Sequence, residues 1–519
     1  MKTTKIMING ESANLDNVWG VAQAISTLEL DKKARGAMKV SRDFIEGAVR
    51  DGQVIYGVNT GFGAFSSVRI SDKDIVELQK NLIRSHSVGV GEPFSRQETR
   101  AIMYLRANAL ARGHSGIRAA VVEKILEYLN ADILPYIPSQ GSVGASGDLA
   151  PLAHLALALI GEGHVWGKDG PEETGKVLKR KKVTAYLLGA KEGLALINGC
   201  QVMTAVGLLT ARRSRDLALL ADIAGAMSFE ALRGGRDAFD PLISATRPHK
   251  GEIKTAANLL KIMGIESAIS KSHEDCGRVQ DAYSLRCMPA VHGAVKDAIR
   301  NAVETLEIEA NSSTDNPLVF ADAEKILSCG NFHGEPVAFQ LDFLAIAMSS
   351  LANISERRIA KLINPSFSEL PAFLAPDGGL NSGMMIVQVA AASLVSENKI
   401  HAHPASVDSI PTSVDKEDHV SMGTIAARKL QRVVENASHV LAMEILCAMQ
   451  ALHLLKPLKP TAAVKAVFEF LEKEIPLAKT DRVFAEDIRR IKKHIDSGAL
   501  VEVARKNLSS SKKEVSLEW

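Results

Sequence analysis

The sequence predicts a mainly α-helical protein organised as a bundle of long helices. Apolar residues recur with helical spacing along most of the 519-residue chain. Several Ala- and Leu-rich runs are longer than the usual globular helix of about 11–12 residues. Few segments have the composition or pattern of a β-strand, and the clearest of them is 54–58. Long Ala-rich helices suit a bundle whose faces are buried by one another and by partner subunits.

The main helices are predicted at 98–112, 201–229, 291–309, 336–362, 384–400 and 423–455. The first is expected to be amphipathic, with Ile102, Leu105 and Ala109 on one face. A shorter helix ends near His86, and another begins at Leu149, with Pro151 in a first turn that tolerates proline. Six lysines or arginines make 168–182 a polar break, which we expect to be a solvated loop or hairpin.

Three parts are predicted along the chain. An N-terminal helical domain occupies residues 1–200, a central long-helix bundle 201–455, and a C-terminal helical cap 456–519. Pro457 and Pro460 end the last bundle helix, because proline cannot continue it. The tail after them is more charged than the bundle.

The composition is that of an ordinary soluble globular protein. The chain is 46% hydrophobic and 24% charged, with a net charge of +2, so no strong field attracts nucleic acid or a membrane. We find no signal-like N-terminus and no run of about 18 uncharged apolar residues, so a cytoplasmic protein is expected. The five cysteines are scattered without a Cys-x-x-Cys pair, so neither disulfides nor a zinc site is expected.

The triplet Ala145-Ser146-Gly147 has special chemistry if its backbone is sharply bent. The Gly147 nitrogen can then attack the Ala145 carbonyl. Loss of two waters, one from the Ser146 side chain, leaves a five-membered ring with an exposed methylidene carbon. Gly147 has no Cβ to obstruct closure, and Asp148 is placed to cap the following helix. A plain Gly/Ser loop before a helix cap is the structural alternative.

The run at 141–154, Gly-Ser-Val-Gly-Ala-Ser-Gly-Asp-Leu-Ala-Pro-Leu-Ala-His, resembles the signature of the aromatic amino acid ammonia-lyases and aminomutases. The resemblance extends from about residue 54 to the mid-400s. It implies an autocatalytic 4-methylidene-imidazol-5-one (MIO) ring made from the triplet, no metal or pyridoxal phosphate, and a homotetramer. Elimination of ammonia also needs a base and a carboxylate clamp.

The resemblance assigns the other site residues by position. Tyr56, in a glycine-rich loop, would be the base on a lid over the ring, and its pKa must be lowered to serve. Arg286 would bind the substrate carboxylate. The remaining roles are ring and substrate contact for Asn198, tuning of the ring and nearby bases for Tyr283 and Gln280, and packing beside the ring for Phe332.

The substrate pocket is most like that of the histidine-specific members. His86 follows Ser85 where phenylalanine enzymes tend to have Phe-Leu, and Glu417 stands where they usually have glutamine-containing motifs. His86, Met385 and Glu417 would hold an imidazole. Lys416 replaces the usual glutamine, and it either pairs with Glu417 or points outward.

Each of these residues also has a structural explanation. His86 could cap a helix, Asn198 could form a turn, Arg286 could lie on the surface, and Met385 could be core. Asp315 and Asn316 are interpreted as structural caps. The group His401, His403 and His419 could suggest a metal, but the spacing fits no metal motif.

The sequence therefore predicts elimination of ammonia from L-histidine to give urocanate. The alternatives are a tyrosine or phenylalanine ammonia-lyase or 2,3-aminomutase, a lyase for a modified histidine, and a non-catalytic helical scaffold. A small amino acid substrate and partner copies of the chain are the only expected partners.

Overall fold

The computed structural model describes residues 4–65, 67–71, 73–264, 266–274, 277–508 and 516–519. Within them the protein is mainly α-helical, as predicted. Its α-helices are Leu15–Ala22, Lys32–Arg50, Ile75–His86, Arg96–Ala111, Ala119–Asn130, Leu149–Leu159, Thr174–Lys181, Glu192–Ile197, Gln201–Ala231, Pro241–Thr246, Lys250–Met263, Ala268–Lys271, Tyr283–Arg286, Met288–Ala310, Glu335–Leu362, Pro365–Ser368, Met385–His401, Gly423–Leu454, Ala462–Glu472, Phe484–Asp496 and Ala499–Lys506.

The strands form small two-stranded sheets. Thr4–Ile8 pairs in parallel with Ser26–Leu30. The antiparallel pairs are Val90–Pro93 with Pro138–Gln140, His164–Trp166 with Pro171–Glu173, and Leu318–Phe320 with Lys325–Leu327. Short 3₁₀ helices occur at Gly63–Phe65, Arg236–Phe239, Ala321–Ala323 and Ala372–Leu374.

The six long helices are confirmed, but the strand predicted at 54–58 is wrong and the loop or hairpin predicted at 168–182 is incomplete. Segment 54–58 is a turn, because the Asn59 side chain accepts the Ile55 N–H at 2.8 Å and the Thr60 hydroxyl accepts the Gly57 N–H at 3.1 Å. These bonds occupy backbone groups that a strand would use. The polar break at 168–182 contains a hairpin strand, as allowed, but also the helix Thr174–Lys181.

Residue contacts divide the chain into two compact units. The first comprises residues 1–212, 302–342 and 404–428, and the second 213–301, 343–403 and 429–519. The predicted division into 1–200, 201–455 and 456–519 concerns consecutive segments, and it stays a prediction.

Helix Arg96–Ala111 is central to the first unit. All residues from Thr99 to Ala111 are buried, so the predicted amphipathic face is wrong and the helix is enclosed on every side. Most of its buried polar side chains have partners, although Thr99 Oγ1 and Arg106 Nε have none in the described structure. The Arg106 guanidinium donates to the Ala195 and Asn198 carbonyls, and thereby holds the segment that precedes helix Gln201–Ala231.

The second unit has a fully buried polar network in its core. Asp222 accepts from His292 at 2.9 Å and from Lys296 at 2.5 Å. The Arg358 guanidinium donates to both Glu444 oxygens, at 2.5 and 2.9 Å. Because burial and the nearby cations lower the pKa of His292, its Nε2 is free to accept from Arg358. Every charge in this network is paired, as burial requires.

Two helices, Glu335–Leu362 and Gly423–Leu454, are long and apolar enough to cross a membrane by length and composition. Both helices are interrupted by charged residues, so neither is the uninterrupted uncharged run expected of a membrane span. Within the protein, 61% and 83% of their apolar windows are buried, as is usual for core helices.

Candidate active site

The triplet Ala145-Ser146-Gly147 lies in a tight turn that runs from Gly144 to Gly147. Gly144 and Gly147 face each other in an isolated antiparallel bridge. Both have positive φ values, 75° and 74°, which favour glycine. A Cβ on Gly147 would lie 2.3 Å from the Gly199 carbonyl oxygen, so no other residue fits there without a shift. The backbone is therefore bent and closely packed where cyclisation would occur.

Hydrogen bonds fix this turn from two sides. The Asp148 N–H donates to the Gly199 carbonyl at 2.8 Å. The Ser142 hydroxyl accepts the Gly144 N–H at 3.2 Å and donates to the Gly147 carbonyl at 3.4 Å. The turn is consequently bound to the Asn198-Gly199 segment.

Asp148 caps a different helix from the one predicted. Its side chain makes no cap bond to helix Leu149–Leu159. Instead it accepts from the Val202 and Met203 N–H groups, at 2.9 and 3.0 Å, in the first turn of helix Gln201–Ala231. Complete burial raises the pKa of Asp148 to about 6, against the lowering effect of Thr424 and the two backbone donors. Asp148 therefore joins the triplet to a helix start in a distant part of the sequence.

Glu417 contacts the triplet directly. The Ser146 hydroxyl donates to Glu417 Oε1 at 3.1 Å, and the Thr412 hydroxyl donates to Oε2 at 2.8 Å. Backbone bonds between Thr412 and Glu417, of 2.9 and 3.3 Å, close the turn that presents this carboxylate. An acid 271 residues away in sequence thus lies beside the serine of the triplet.

Lys416 is exposed, and the described part of the chain gives it no ion pair with Glu417. It follows three consecutive residues in the left-handed region, Ser413, Val414 and Asp415, which turn the loop sharply. Of the two alternatives for Lys416, the outward one matches this geometry.

Tyr56 lies in the glycine-rich turn, where its hydroxyl accepts the Gly63 N–H at 3.4 Å. Burial raises the pKa of Tyr56, and the negative charge of Glu417 raises it further. The role of base expected for Tyr56 requires a lowered pKa, whereas this chain by itself raises the pKa of Tyr56. The described contacts of Tyr56 include no cation that would stabilise a phenolate.

His86 is the last residue of helix Ile75–His86, as predicted, and its Nδ1 lies 3.1 Å from the Ser85 hydroxyl. Burial lowers the pKa of His86, although the Leu82 carbonyl and Glu417 oppose this. The imidazole is consequently neutral near pH 7. Tyr56 and His86 thus both lie within the electrostatic influence of Glu417.

Asn198 is 3% exposed, and only one end of its side-chain amide has hydrogen-bond partners. Its Nδ2 donates to Asp315 Oδ1 at 3.2 Å and to the Asn316 carbonyl at 3.3 Å. Its Oδ1 is buried without a hydrogen-bond partner in the described structure. Asp315 also accepts from the fully buried Lys191 at 2.5 Å. The amide therefore has an unsatisfied acceptor beside the triplet's backbone anchor, Gly199.

Phe332 is held through its backbone. Its carbonyl accepts from the buried Cys200 thiol at 3.0 Å, directly after the Asn198-Gly199 segment. Asp315 and Asn316 were interpreted as caps. Asp315 instead forms an ion pair, while Asn316 Oδ1 accepts the Cys329 N–H at 2.8 Å.

The other four predicted site residues belong to the second unit. The Arg286 guanidinium stacks over the Tyr283 ring, 4.5 Å from its centroid, and donates to Gln280 Oε1 at 3.2 Å. Tyr283 is exposed. Met385 is half-buried at the first position of helix Met385–His401. Gln280, Tyr283 and Arg286 are thus brought together within this unit.

One group of potential metal ligands occurs in the described residues, and it differs from the predicted candidate. His333, Glu335 and His419 place one ligand atom each within 4.8 Å of one another. The two imidazoles stack with an interplanar angle of 5°, and His333 Nδ1 lies 3.8 Å from Glu335. Stacking accounts for the approach of the two imidazoles, and the prediction of a metal-free site stays a prediction.

Sequence reasoning gave no role to Thr412 or Lys191. Thr412 orients the Glu417 carboxylate, and their separation of only five positions in sequence was a usable signal. Lys191 fixes Asp315 from 124 residues away, and no local pattern marks it.

A family model described as aromatic amino acid lyase matches residues 13–473. The histidine ammonia-lyase of Koribacter versatilis is 50% identical over 511 residues, covering 96% of this chain and 99% of that protein. The crystal structure of histidine ammonia-lyase from Trypanosoma cruzi superposes with a TM-score of 0.90 at 43% identity, covering 98% and 96%. Tyrosine aminomutase from Streptomyces globisporus superposes with a TM-score of 0.92 at 38% identity, covering 98% and 100%. The chain belongs to the aromatic amino acid lyase family.

Proposed function

We propose that this chain is an ammonia-lyase that converts L-histidine to urocanate and ammonia. One observation carries the choice of substrate: a carboxylate, Glu417, lies within hydrogen-bond distance of Ser146 in the triplet. A carboxylate there can accept an N–H of an imidazole bound beside the reacting carbon. Relatives that bear this activity in their names are 46–50% identical over almost the whole chain, which supports the same assignment.

We propose further that Ala145, Ser146 and Gly147 cyclise to the MIO group, without metal or pyridoxal phosphate. The bent turn, the positive φ of Gly147 and the space that a Cβ would fill are compatible with the ring. The unpartnered Asn198 Oδ1 offers an acceptor to the ring or to a substrate N–H. The ring would supply an electrophilic carbon, which ordinary side chains lack.

The imidazole of the substrate is proposed to lie against His86, Met385 and Glu417. A neutral His86 can donate or accept one hydrogen bond without repelling a protonated substrate. Thr412 holds Glu417 in the orientation that this contact needs. Lys416, being exposed, leaves the Glu417 charge available, so the change from glutamine is not expected to alter the substrate.

Tyr56 is proposed to take the β-proton. The protein environment keeps its phenol protonated, because burial and Glu417 both disfavour the phenolate. A nearby positive charge from the bound substrate ammonium would favour proton loss. Tyr56 would therefore act as a base only when the substrate is bound.

Arg286 is proposed to bind the substrate carboxylate, since its planar guanidinium suits bidentate contact. Gln280 and Tyr283 orient it, through a hydrogen bond and ring stacking. We also propose a cytoplasmic homotetramer whose sites combine groups from several subunits.

The likeness to tyrosine aminomutase makes an aminomutase the second candidate. Incubation of the purified protein with L-histidine, L-tyrosine and L-phenylalanine separates the possibilities. We expect the ultraviolet absorbance of a conjugated acrylate with L-histidine alone. A β-amino acid product would indicate an aminomutase. An acrylate product from L-tyrosine or L-phenylalanine would indicate a lyase for that amino acid. No product from any of the three would indicate a lyase for a modified histidine or a non-catalytic scaffold.

A further inference from the structure

The segment 516–519 lies against two helices of the second unit and is anchored there by its side chains. Leu517 is 6% exposed. The Arg215 guanidinium, on helix Gln201–Ala231, lies over the Trp519 ring at 5.1 Å from its centroid. A buried apolar side chain and a large ring thus hold the segment in place, although it lies outside every described helix and strand.

Helix Lys250–Met263 binds the backbone of this segment. The fully buried Asn258 accepts the Glu518 N–H at 2.9 Å through its Oδ1, and its Nδ2 donates to the Glu518 carbonyl at 2.8 Å. Two lysines of the same helix donate to neighbouring backbone oxygens of the segment, at 2.8 and 3.1 Å. Because Asn258 pairs with the backbone of Glu518, this contact does not depend on the side chain at position 518.

Asn258 also belongs to the buried polar network of the second unit. Its Nδ2 carries a second hydrogen, which is donated to Asp222 Oδ2 at 2.8 Å. Asp222 accepts from His292, whose Nε2 accepts from Arg358 at 3.2 Å. Two of the three hydrogen bonds of Asn258 are made to the segment 516–519. Without the segment, the Asn258 amide would lose the contacts that direct it towards Asp222.

The other end of this network reaches helix Tyr283–Arg286. The Arg358 guanidinium donates to the Ser284 carbonyl at 3.5 Å. His292 lies in the second turn of helix Met288–Ala310, which begins two positions after the short helix ends. The network therefore contacts the short helix both through space and along the chain.

We propose that docking of the segment 516–519 positions Arg286 for the substrate carboxylate through this buried network. The inference rests on the proposed function, in which Arg286 binds that carboxylate. The segment, the network and Arg286 all belong to one compact unit. Four buried positioning residues connect the two ends: Asn258, Asp222, His292 and Arg358.

This role predicts a specific kinetic effect. The substrate carboxylate is bound in the ground state and in the transition state alike, because it takes no part in bond breaking. Loss of its positioning therefore removes uniform binding, which raises KM and leaves kcat unchanged.

Two variants test the proposal. One is the chain shortened to end at residue 515, and the other is Leu517→Asp, which keeps the whole chain but places a charge at a buried contact. In both we expect KM for L-histidine to rise at least about fivefold, the lower end of the usual coupling between distant sites. We expect kcat to stay within about twofold of the wild-type value.

Two inhibitors show whether the change lies at the carboxylate. Imidazolepropionate carries the imidazole and the carboxylate of the substrate, whereas imidazole carries no carboxylate. We expect the inhibition constant of imidazolepropionate to rise by the same factor as KM in both variants. The inhibition constant of imidazole should stay at the wild-type value.

Glu518→Ala is the matched control, because it removes an exposed side chain and keeps the backbone pairing with Asn258. It should have the wild-type KM. Circular dichroism and elution volume of every variant must match the wild type. If the shortened chain or Leu517→Asp fails that comparison, the milder Trp519→Ala decides, and it should show the same pattern.

A wild-type KM and wild-type inhibition by imidazolepropionate in the folded variants would overturn the proposal. Equal weakening of both inhibitors would also overturn it, because that result indicates general damage to the site. Both results require an active wild type and leave the proposed function intact. A folded wild type that forms no urocanate would overturn the proposed function, and this inference with it.

Discussion

At the scale of single residues, Asn198 illustrates how a buried ion pair can set the direction of an amide. An ionised Asp315 carboxylate only accepts hydrogen bonds, so it selects the Nδ2 end of Asn198. The Oδ1 end is then directed elsewhere and remains without a partner in the described structure. Lys191 donates to the other oxygen of Asp315 at 2.5 Å. Charge pairing thus determines which atom Asn198 offers to a ligand.

The first prediction concerns this ion pair. Lys191→Met should lower the free energy of unfolding by about 3–5 kcal/mol, because it leaves the buried Asp315 charge uncompensated. The double variant with Asp315→Asn should recover part of the loss. Urea denaturation measures both. Lys5→Met is a matched control in an exposed pair and should change stability by at most about 1 kcal/mol. An equally small effect at Lys191 would refute the argument.

The second prediction concerns the base. If Tyr56 accepts the β-proton, only its phenolate is active, and the pKa of this group is raised above its usual value of about 10. The fraction ionised then grows with pH, so kcat/KM should rise between pH 7 and 9. Tyr56→Phe should lose about 10²–10⁴ of the activity. A kcat/KM that is level from pH 6 to 9 would point to a carboxylate base instead.

At the scale of elements, the start of helix Gln201–Ala231 depends on a residue from another segment. Asp148 satisfies two of its first backbone N–H groups and lies 54 residues earlier in sequence. Capping usually comes from the residue that precedes a helix. Here it couples the helix to the triplet turn.

The third prediction follows from that cap. Asp148→Ala should lower the free energy of unfolding by about 1–3 kcal/mol for each buried donor left unpaired. Asp31→Ala removes a cap from the more exposed helix Lys32–Arg50 and should cost only about 1 kcal/mol. Thermal unfolding of both variants provides the comparison. Equal losses of stability in the two variants would contradict the claim that Asp148 is more important than an ordinary helix cap.

The sequence predicted the long helices well because their Ala- and Leu-rich runs are bounded by prolines, glycines and polar turns. Prediction from the sequence failed where the structure depends on hydrogen bonds from side chains or on residues distant in sequence. Asn59 and Thr60 convert an apolar strand-like run into a turn, and the hydrogen bonds that do so depend on the folded loop. Helix Arg96–Ala111 was predicted as amphipathic, but Arg106 and its partners let it be buried from Thr99 to Ala111.

The candidate site was predictable to a similar degree. Family resemblance placed Ser146 and Glu417 in one site, and the structure brings them into hydrogen-bond contact. The raised pKa of Tyr56 could not be predicted, because it depends on burial and on the charge of a residue 361 positions away. The role of Lys191 could not be predicted either, because its partner Asp315 lies 124 residues away in sequence.

At the scale of the whole molecule, one long helix presents an unpaired apolar stripe. Phe339, Phe343 and Ile346 follow one another at i, i+4 and i+7 on helix Glu335–Leu362, and each is about half exposed in the single chain. Contiguous exposed apolar surface of this kind marks an interface. The stripe supports the proposed homotetramer.

The fourth prediction is that the wild type is a tetramer in solution and that Phe343→Asp shifts it to smaller species. A charge placed in an apolar interface must be desolvated without a partner. Light scattering coupled to size exclusion measures the mass. Val483→Asp, at an isolated exposed apolar residue outside any described helix, is the control and should stay tetrameric. A fully active monomeric wild type would contradict the proposed assembly.

The central claim is that the Ala145-Ser146-Gly147 triplet makes this chain an ammonia-lyase for L-histidine. The most direct measurement is the absorbance of urocanate during incubation of L-histidine with the wild type and with Ser146→Ala, at equal concentrations of folded protein. We predict steady urocanate formation by the wild type and loss of nearly all of it in the variant. Equal rates from the two proteins, or no urocanate from a folded wild type, would contradict the account.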